Sequence, residues 1–249
     1  MTELVHLDVA NRIATITLDS EHNRNALSRQ LVTELVGHLT TAEADPDVLA
    51  IVIRSAHRVF CSGADLSEAA DGAMTQGTQA LISLQRQILA ARTPVVVVLA
   101  GPVRAGGLGI VGAADIVLAA ESVNFALTEV RLGLAPAVIS LSLLPRLDQR
   151  AASDLFLTAR TFDAIEAAAA GLVTRVVPDP DLETELVGVL DDLRHAHTQG
   201  LRETKAVLNA DVIARLDARG DELAELSARL FNSDEAREAM LAFLSRQKR

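Results

Sequence analysis

The sequence predicts an α/β fold in which a strand-rich core is followed by a helical C-terminal region. Three observations carry this. Apolar runs of strand length recur at LAIVIRS (49–55), VVVVLAG (95–101) and DIVLAA (115–120), bounded by polar or glycine-rich turns. Segments with helical spacing lie between them. From about Asp181 the pattern is helical, charged and amphipathic.

The elements follow in order. LVHLDV and ATITL read as two strands around the turn Ala10-Asn11-Arg12, with Ala14, Ile16 and Leu18 alternating at strand period. After the polar loop EHNRNA, Ser28 is placed to cap a helix on which Leu31, Leu35 and Leu39 share a face. The strand LAIVIRS leads into a loop from Phe60 to Leu66. A helix over 79–92 ends before Thr93-Pro94, because the residue before proline is pushed out of helical geometry. VVVVLAG, DIVLAA and the short NFAL (124–127) read as strands. A helical stretch over 138–159 breaks near Pro145. FDAIEAAAAGLVTRVV reads as a helix ended by Gly171, then a strand. The strand, turn and helix units repeat in architecture without repeating in sequence. The division expected is a core over 1–190 and a helical region over 191–249.

Composition narrows the function classes. A chain of 249 residues can bury a large core. No apolar run approaches the roughly 20 residues of a membrane span, and the N-terminal residues lack a signal-peptide pattern. One cysteine, Cys61, excludes an intrachain disulfide and suits a cytoplasmic setting. A net charge of -10 and the absence of Trp and Tyr argue against a nucleic-acid partner.

One motif invites a specific test. Gly107-Leu-Gly109-Ile-Val-Gly112 is a literal G-x-G-x-x-G. A dinucleotide fingerprint needs a strand running straight into the first glycine and a helix of about three turns after the last. Here Gly101-Pro102-Val103-Arg104 separates strand from glycines, and only Ala113 and Ala114 precede DIVLAA. The fingerprint fails on spacing. Close helix packing would by itself account for the glycines. However, VFCSGADL (59–66) is a second loop of small residues after a strand. Two such loops can bring two backbone N–H groups to one point, which is an oxyanion hole. A helix N-terminus there would add its positive dipole.

VFCSGADL, GPVRAGGLGIVGAADIVLAA, NFALTEVRLGLAP and FDAIEAAAAGLVTRVV, in this order and spacing, resemble the enoyl-CoA hydratase/isomerase (crotonase) superfamily. The C-terminal EAREAMLAFLSRQKR, with its basic end, resembles the family's closing helix. The resemblance implies a ββα spiral core, a C-terminal helical trimerisation region, and assembly as a homotrimer or dimer of trimers. It implies an acyl-CoA thioester as substrate and no separate cofactor, coenzyme A being part of the substrate. It places the oxyanion donors at the N–H groups of Ala64 and Gly106. It places CoA contacts at Ala64, Asp65 and Leu66, with Gly106 and Gly109 in the same binding segment. Arg24 falls where a basic residue reaches the CoA phosphates; a solvated surface arginine is the alternative.

Hydratases of the best-known type carry two catalytic glutamates. The first position is Gly109 here, and the second is Glu129. A salt bridge to Arg131 or Arg104 is the alternative role for Glu129. One carboxylate could serve both proton transfers of hydration through one water, or shuttle a proton from the α- to the γ-carbon as an isomerase. Phe125, Leu127, Leu132 and Leu134 would desolvate it and raise its pKa. The segment FALTEVRLG is similar to that of bacterial methylglutaconyl-CoA-type hydratases, which favours hydration. A 3-enoyl-CoA isomerase and a non-catalytic acyl-CoA-binding protein are the other readings. A Clp-type serine protease is disfavoured because no histidine falls in the matching regions, and a dehalogenase because tryptophan is absent. Residues 67–78 and 135–144 are expected to line the acyl pocket.

Overall fold

The parallel pairing of apolar strands sets the frame. In the computed structural model, which describes residues 2–68 and 73–247, β1 (Val5–Ala10) and β2 (Ile13–Leu18) form an antiparallel hairpin. Its two-residue turn is Asn11-Arg12, both at positive φ (51° and 68°), the mirror-image turn whose twist suits a hairpin. α1 (Arg29–Ala44) starts at Ser28, whose side chain accepts from Leu31 N–H at 3.3 Å. β3 (Ala50–Ser55), α2 (Ala73–Ala90) and β4 (Val95–Leu99) follow. α2 begins earlier than the expected 79, running through Gly77, where a side chain would meet open space; the glycine hid the helix's first turns.

β5 (Val103–Arg104), α3 (Gly107–Ala113), β6 (Ile116–Ala120) and β7 (Asn124–Ala126) come next. The stretch expected to break near Pro145 forms α4 (Ser140–Leu143) and α5 (Gln149–Thr158). β8 (Phe162–Asp163), α6 (Ala164–Ala169) and β9 (Arg175–Val177) complete the core. Gly171 takes φ +88°, and a Cβ there would lie 2.4 Å from the Arg146 carbonyl oxygen, so only glycine fits. α7 (Leu182–Arg194), α8 (Thr198–Phe231) and α9 (Asp234–Gln247) form the C-terminal region. The terminal basic pair Lys248 and Arg249 lies outside the described residues.

The large sheet has the order β1-β2-β3-β4-β6-β9, parallel from β2 onward. Its central strands are buried on both faces, as unbroken β-branched runs require. A second, small sheet has the order β5-β7-β8. Two single-residue parallel bridges, Leu27 to Ala64 and Cys61 to Val103, extend it. Each turn of the chain therefore gives a long strand to one sheet and a short one to the other. This is the crotonase spiral that the sequence motifs implied.

α8 is pinned to the core by polar groups. Lys205 Nζ donates to Asp115 Oδ2 at 2.7 Å and to the carbonyls of Ile88 and Thr93. One turn on, Asn209 Nδ2 donates to Leu89 O and Asp115 Oδ1. Burial pushes the Lys205 pKa down, against the pull of Asp115. Removing one member of a buried pair leaves the other charge uncompensated. Lys205→Met is expected to cost about 3 kcal/mol, read as a lowered urea midpoint; an unchanged midpoint would show the pair to be dispensable.

Candidate active site

Register brings the two small-residue loops together. Cys61 bridges Val103 in parallel, and Ala64 and Gly106 each follow their bridged residue by three positions. They therefore come to lie side by side. A Cβ built on Gly106 would lie 3.7 Å from the Ala64 nitrogen. One on Gly63 would lie 3.0 Å from Ala105 Cβ and 3.7 Å from the Gly106 nitrogen. The close approach needs unusual backbone, with Gly63 at φ 98° and Ala105 at φ 45°. A non-glycine residue held there stores strain, which concentrates at functional sites. Among the described residues, neither the Ala64 nor the Gly106 N–H donates to a protein acceptor. Both residues line one cavity. Gly106 is also the N-cap of the short, fully buried α3.

Cys61 supports this arrangement from behind. A Cβ on Gly107 would meet its Cβ at 2.7 Å and its Sγ at 2.9 Å. Burial pushes the thiol pKa up to about 12, so Cys61 is a packing residue and not a nucleophile.

Glu129 lies in the wall of the same cavity, at the start of a 3-10 turn (Glu129–Leu132). Its Oε2 is buried and has no hydrogen-bond partner. Burial drives its pKa up to about 7. No ion pair to Arg131 or Arg104 forms among the described residues. Arg104 instead donates to the carbonyls of Val103 and Asn124 and to Asn124 Oδ1. A buried carboxylate oxygen without a partner is costly, and a carboxyl held near neutral pKa in a cavity is a candidate for proton transfer.

The cavity holds about 310 Å³, within the size range of small-molecule sites. Leu27, Val32, Leu81, Leu132, Leu134 and Ile139 supply apolar wall. Asp65 and Leu66 line it too. Burial pushes the Asp65 carboxyl up, but hydrogen bonds from Ser67 and Asn23 outweigh this and hold it below the usual range. Of the stretches expected to line the pocket, Glu68, Gln76, Gly77, Thr78 and 135–139 do so; residues 69–72 lie outside the described residues.

Two expected positions differ. Arg24 is exposed and outside the cavity lining. Its backbone takes φ 58°, and its carbonyl accepts from Ser62 N–H, bracing the loop that carries Ala64. Arg29, the first residue of the capped helix α1, is the arginine at the cavity. Gly109 is likewise not on the lining. It sits behind the wall, where a Cβ would lie 2.9 Å from Ile139 Cγ2 and 3.2 Å from Gln85 Cδ. Gln85 is fully buried. It donates to the carbonyls of Leu81 and Val138 and accepts from Ser142 Oγ at 2.6 Å. The space of a first glutamate is thus filled by protein, not by substrate. Gly109→Glu is expected to cost about 3 kcal/mol or more, seen in urea denaturation, and to slow hydration of crotonyl-CoA. Faster hydration would show that the new carboxylate reaches the cavity.

Sequence reasoning missed Arg29, Ser227 and Phe231. The last two reach the cavity from the end of α8. No local signal could have placed them there. None of the histidines lines the cavity; His6 and His57 instead flank Asp19, at 2.8 and 2.6 Å. Among the described residues there is no cluster of metal-ligating side chains and no helix long and apolar enough to cross a membrane.

A two-sheet spiral with a free amide pair and a desolvated carboxyl in one cavity defines an enzyme of the crotonase type. The profile of the enoyl-CoA hydratase/isomerase family matches residues 8–249, and the chain belongs to that family. It is 43% identical to an enoyl-CoA hydratase of known structure from Mycobacterium avium, covering 99% of this chain and 98% of that one, with a TM-score of 0.92. It is 31% identical to the probable enoyl-CoA hydratase echA8 of Mycobacterium bovis over 98% of this chain and 96% of the relative. A methylmalonyl-CoA decarboxylase structure, 21% identical with a TM-score of 0.84, shares the fold alone.

Proposed function

We propose that this enzyme adds water across the double bond of a 2-enoyl-CoA thioester, with Glu129 as its sole acid and base. The observation that carries the reading is the Glu129 carboxyl, its buried Oε2 without a hydrogen-bond partner, in one cavity with two unpaired amides. The thioester oxygen lies between the N–H groups of Ala64 and Gly106. Glu129, ionised, takes a proton from water as the water oxygen bonds to C3. The C2–C3 π electrons move toward the thioester, and the amides hold the enolate oxygen. Glu129 then returns the proton to C2, giving the 3-hydroxyacyl thioester. No metal or separate cofactor enters these steps; coenzyme A is the handle of the substrate. Asp65, Leu66 and Arg29 stand along the cavity where that handle passes, and Arg24 just outside it.

Gly109 and the Gln85 side chain that fills its space favour a second reading, 3-enoyl-CoA to 2-enoyl-CoA isomerisation, which needs one carboxylate and no water. Assaying crotonyl-CoA and a 3-enoyl-CoA side by side tests the choice. Fast loss of the crotonyl enoyl absorbance supports hydration. A rate confined to the 3-enoyl substrate overturns it, and inertness toward both favours a non-catalytic acyl-CoA-binding protein.

The assembly proposed is a trimer or a dimer of trimers. On α8, Leu223 is buried within its own chain and Leu226 packs on its core. The four most exposed large apolar residues among those described lie elsewhere, at Leu157, Ile165, Val207 and Leu208, and these support association. Sedimentation at micromolar concentration is expected to give a trimer or hexamer; a monomer contradicts it.

A further inference from the structure

Polar loops normally run over the surface, and EHNRNA (21–26) reads as one. Asn25 within it is nonetheless 0% exposed. Its backbone takes φ 53°, a region that asparagine and glycine tolerate. Glycine would satisfy that backbone alone, so the conformation does not account for the side chain. Both polar atoms of the side chain are bonded. Oδ1 accepts from Ser20 N–H at 2.7 Å. Nδ2 donates to Ser55 Oγ at 2.8 Å and to the carbonyls of Val59 and Phe60, each at 3.2 Å.

Those two carbonyls directly precede Cys61, whose pairing with Val103 sets the two amides side by side. From the other side, Phe60 N–H donates to Pro102 O, and Cys61 O accepts from Arg104 N–H. Residues 59–61 are thus held between Asn25 and the chain leading to Gly106. Past Cys61, Ser62 N–H donates to Arg24 O and Leu27 N–H to Gly63 O, and Leu27 bridges Ala64. One short segment therefore grips the loop on both sides of Cys61, by the Asn25 side chain at 59 and 60 and by its backbone at 62 and 63. Asn25 itself is not on the cavity lining, so it can act only through the loop. We propose that Asn25 is a positioning residue that fixes where the Ala64 N–H points. Without its side chain the buried Phe60 carbonyl loses this donor, residues 59–61 shift, and the Ala64 amide leaves the point it shares with Gly106. This rests on the oxyanion reading above.

The test uses hexanoyl-CoA with a heavy-carbon label in its thioester carbonyl, bound at saturation and read by infrared difference spectroscopy. N–H donors that converge on the oxygen polarise the carbonyl and lower its stretching frequency. The wild type is expected to show that shift. Asn25→Gly, which suits the positive φ, is expected to lose most of it. Its kcat on crotonyl-CoA is expected to fall about ten- to hundredfold, the effect of a small misplacement, with KM within a few-fold. Lys205→Met, which lowers stability outside the cavity, is expected to keep both the shift and kcat. Asn25→Gly with the full shift overturns the proposal, whatever its kcat. So does an equal loss in Lys205→Met, which traces the change to stability alone. If Asn25→Gly does not fold, Ser55→Ala decides by the same signal, since Ser55 Oγ joins Asn25 Nδ2 to the Val59 carbonyl. A partial loss of the shift supports the proposal, and a full shift overturns it. No shift in the wild type defeats the oxyanion reading and the proposal with it. Because the ligand is saturated, the shift decides the role of Asn25 even where hydration fails.

Discussion

Glu129→Gln is expected to lower kcat for a 2-enoyl-CoA by about three orders of magnitude or more, while affinity for the thioester stays within a few-fold. General acid–base catalysis by one positioned group is worth about 10²–10⁴-fold, and here the same group serves both proton transfers. Glutamine keeps the shape and the apolar contacts of the 3-10 turn. It also removes a buried ionisable group, so the variant should fold at least as well as the wild type. The pH dependence follows from the same residue. Burial raises the Glu129 pKa to about 7, and the ionised form is the base. The rate therefore falls as pH drops through about 7 and levels above it. A half-active variant, or a rate limb at ordinary carboxylate pH, would reduce Glu129 to a structural group.

Gly106→Pro is expected to cost about 10²–10³-fold in kcat, the loss on removing one oxyanion donor. Gly106 has φ -51°, close to the angle proline imposes. The preceding Ala105, at φ 45°, is the strained partner in this substitution. Gly106→Ala supplies the control. It keeps the N–H and places a Cβ 3.0 Å from Leu27 Cδ1, the flexible end of a side chain. The difference between the two variants, each checked for folding, isolates the donor. Equal rates in both would remove the Gly106 amide from the mechanism.

How much of this was legible in the sequence depended on range. The strands, the Ser28 cap, the break near Pro145 and the Gly171 stop are local patterns, and all of them form. The loops carrying Ala64 and Gly106 could be singled out as well, because small residues after an apolar strand are a local signal. What placed them side by side was the pairing of Cys61 with Val103, which only the folded chain displays. Gly109 shows the limit. Its motif position matched a catalytic one, but a contact with Gln85, on a different helix, moves it behind the wall. Ser227 and Phe231 reach residues near position 30 across almost the whole chain, and periodicity carries no information at that separation. The start of α2 was missed for a local reason, Gly77, which lowers helix propensity without breaking a helix supported by its packing against α8.

The central claim is that one desolvated carboxyl, sharing a cavity with two backbone amides, adds water to an enoyl thioester. The most direct measurement is mass spectrometry of crotonyl-CoA incubated with the enzyme in water enriched in heavy oxygen. The account predicts a 3-hydroxyacyl-CoA carrying one heavy oxygen, formed by the wild type and absent with Glu129→Gln. A thioester recovered without added water, whether unchanged or with its double bond moved, would contradict it.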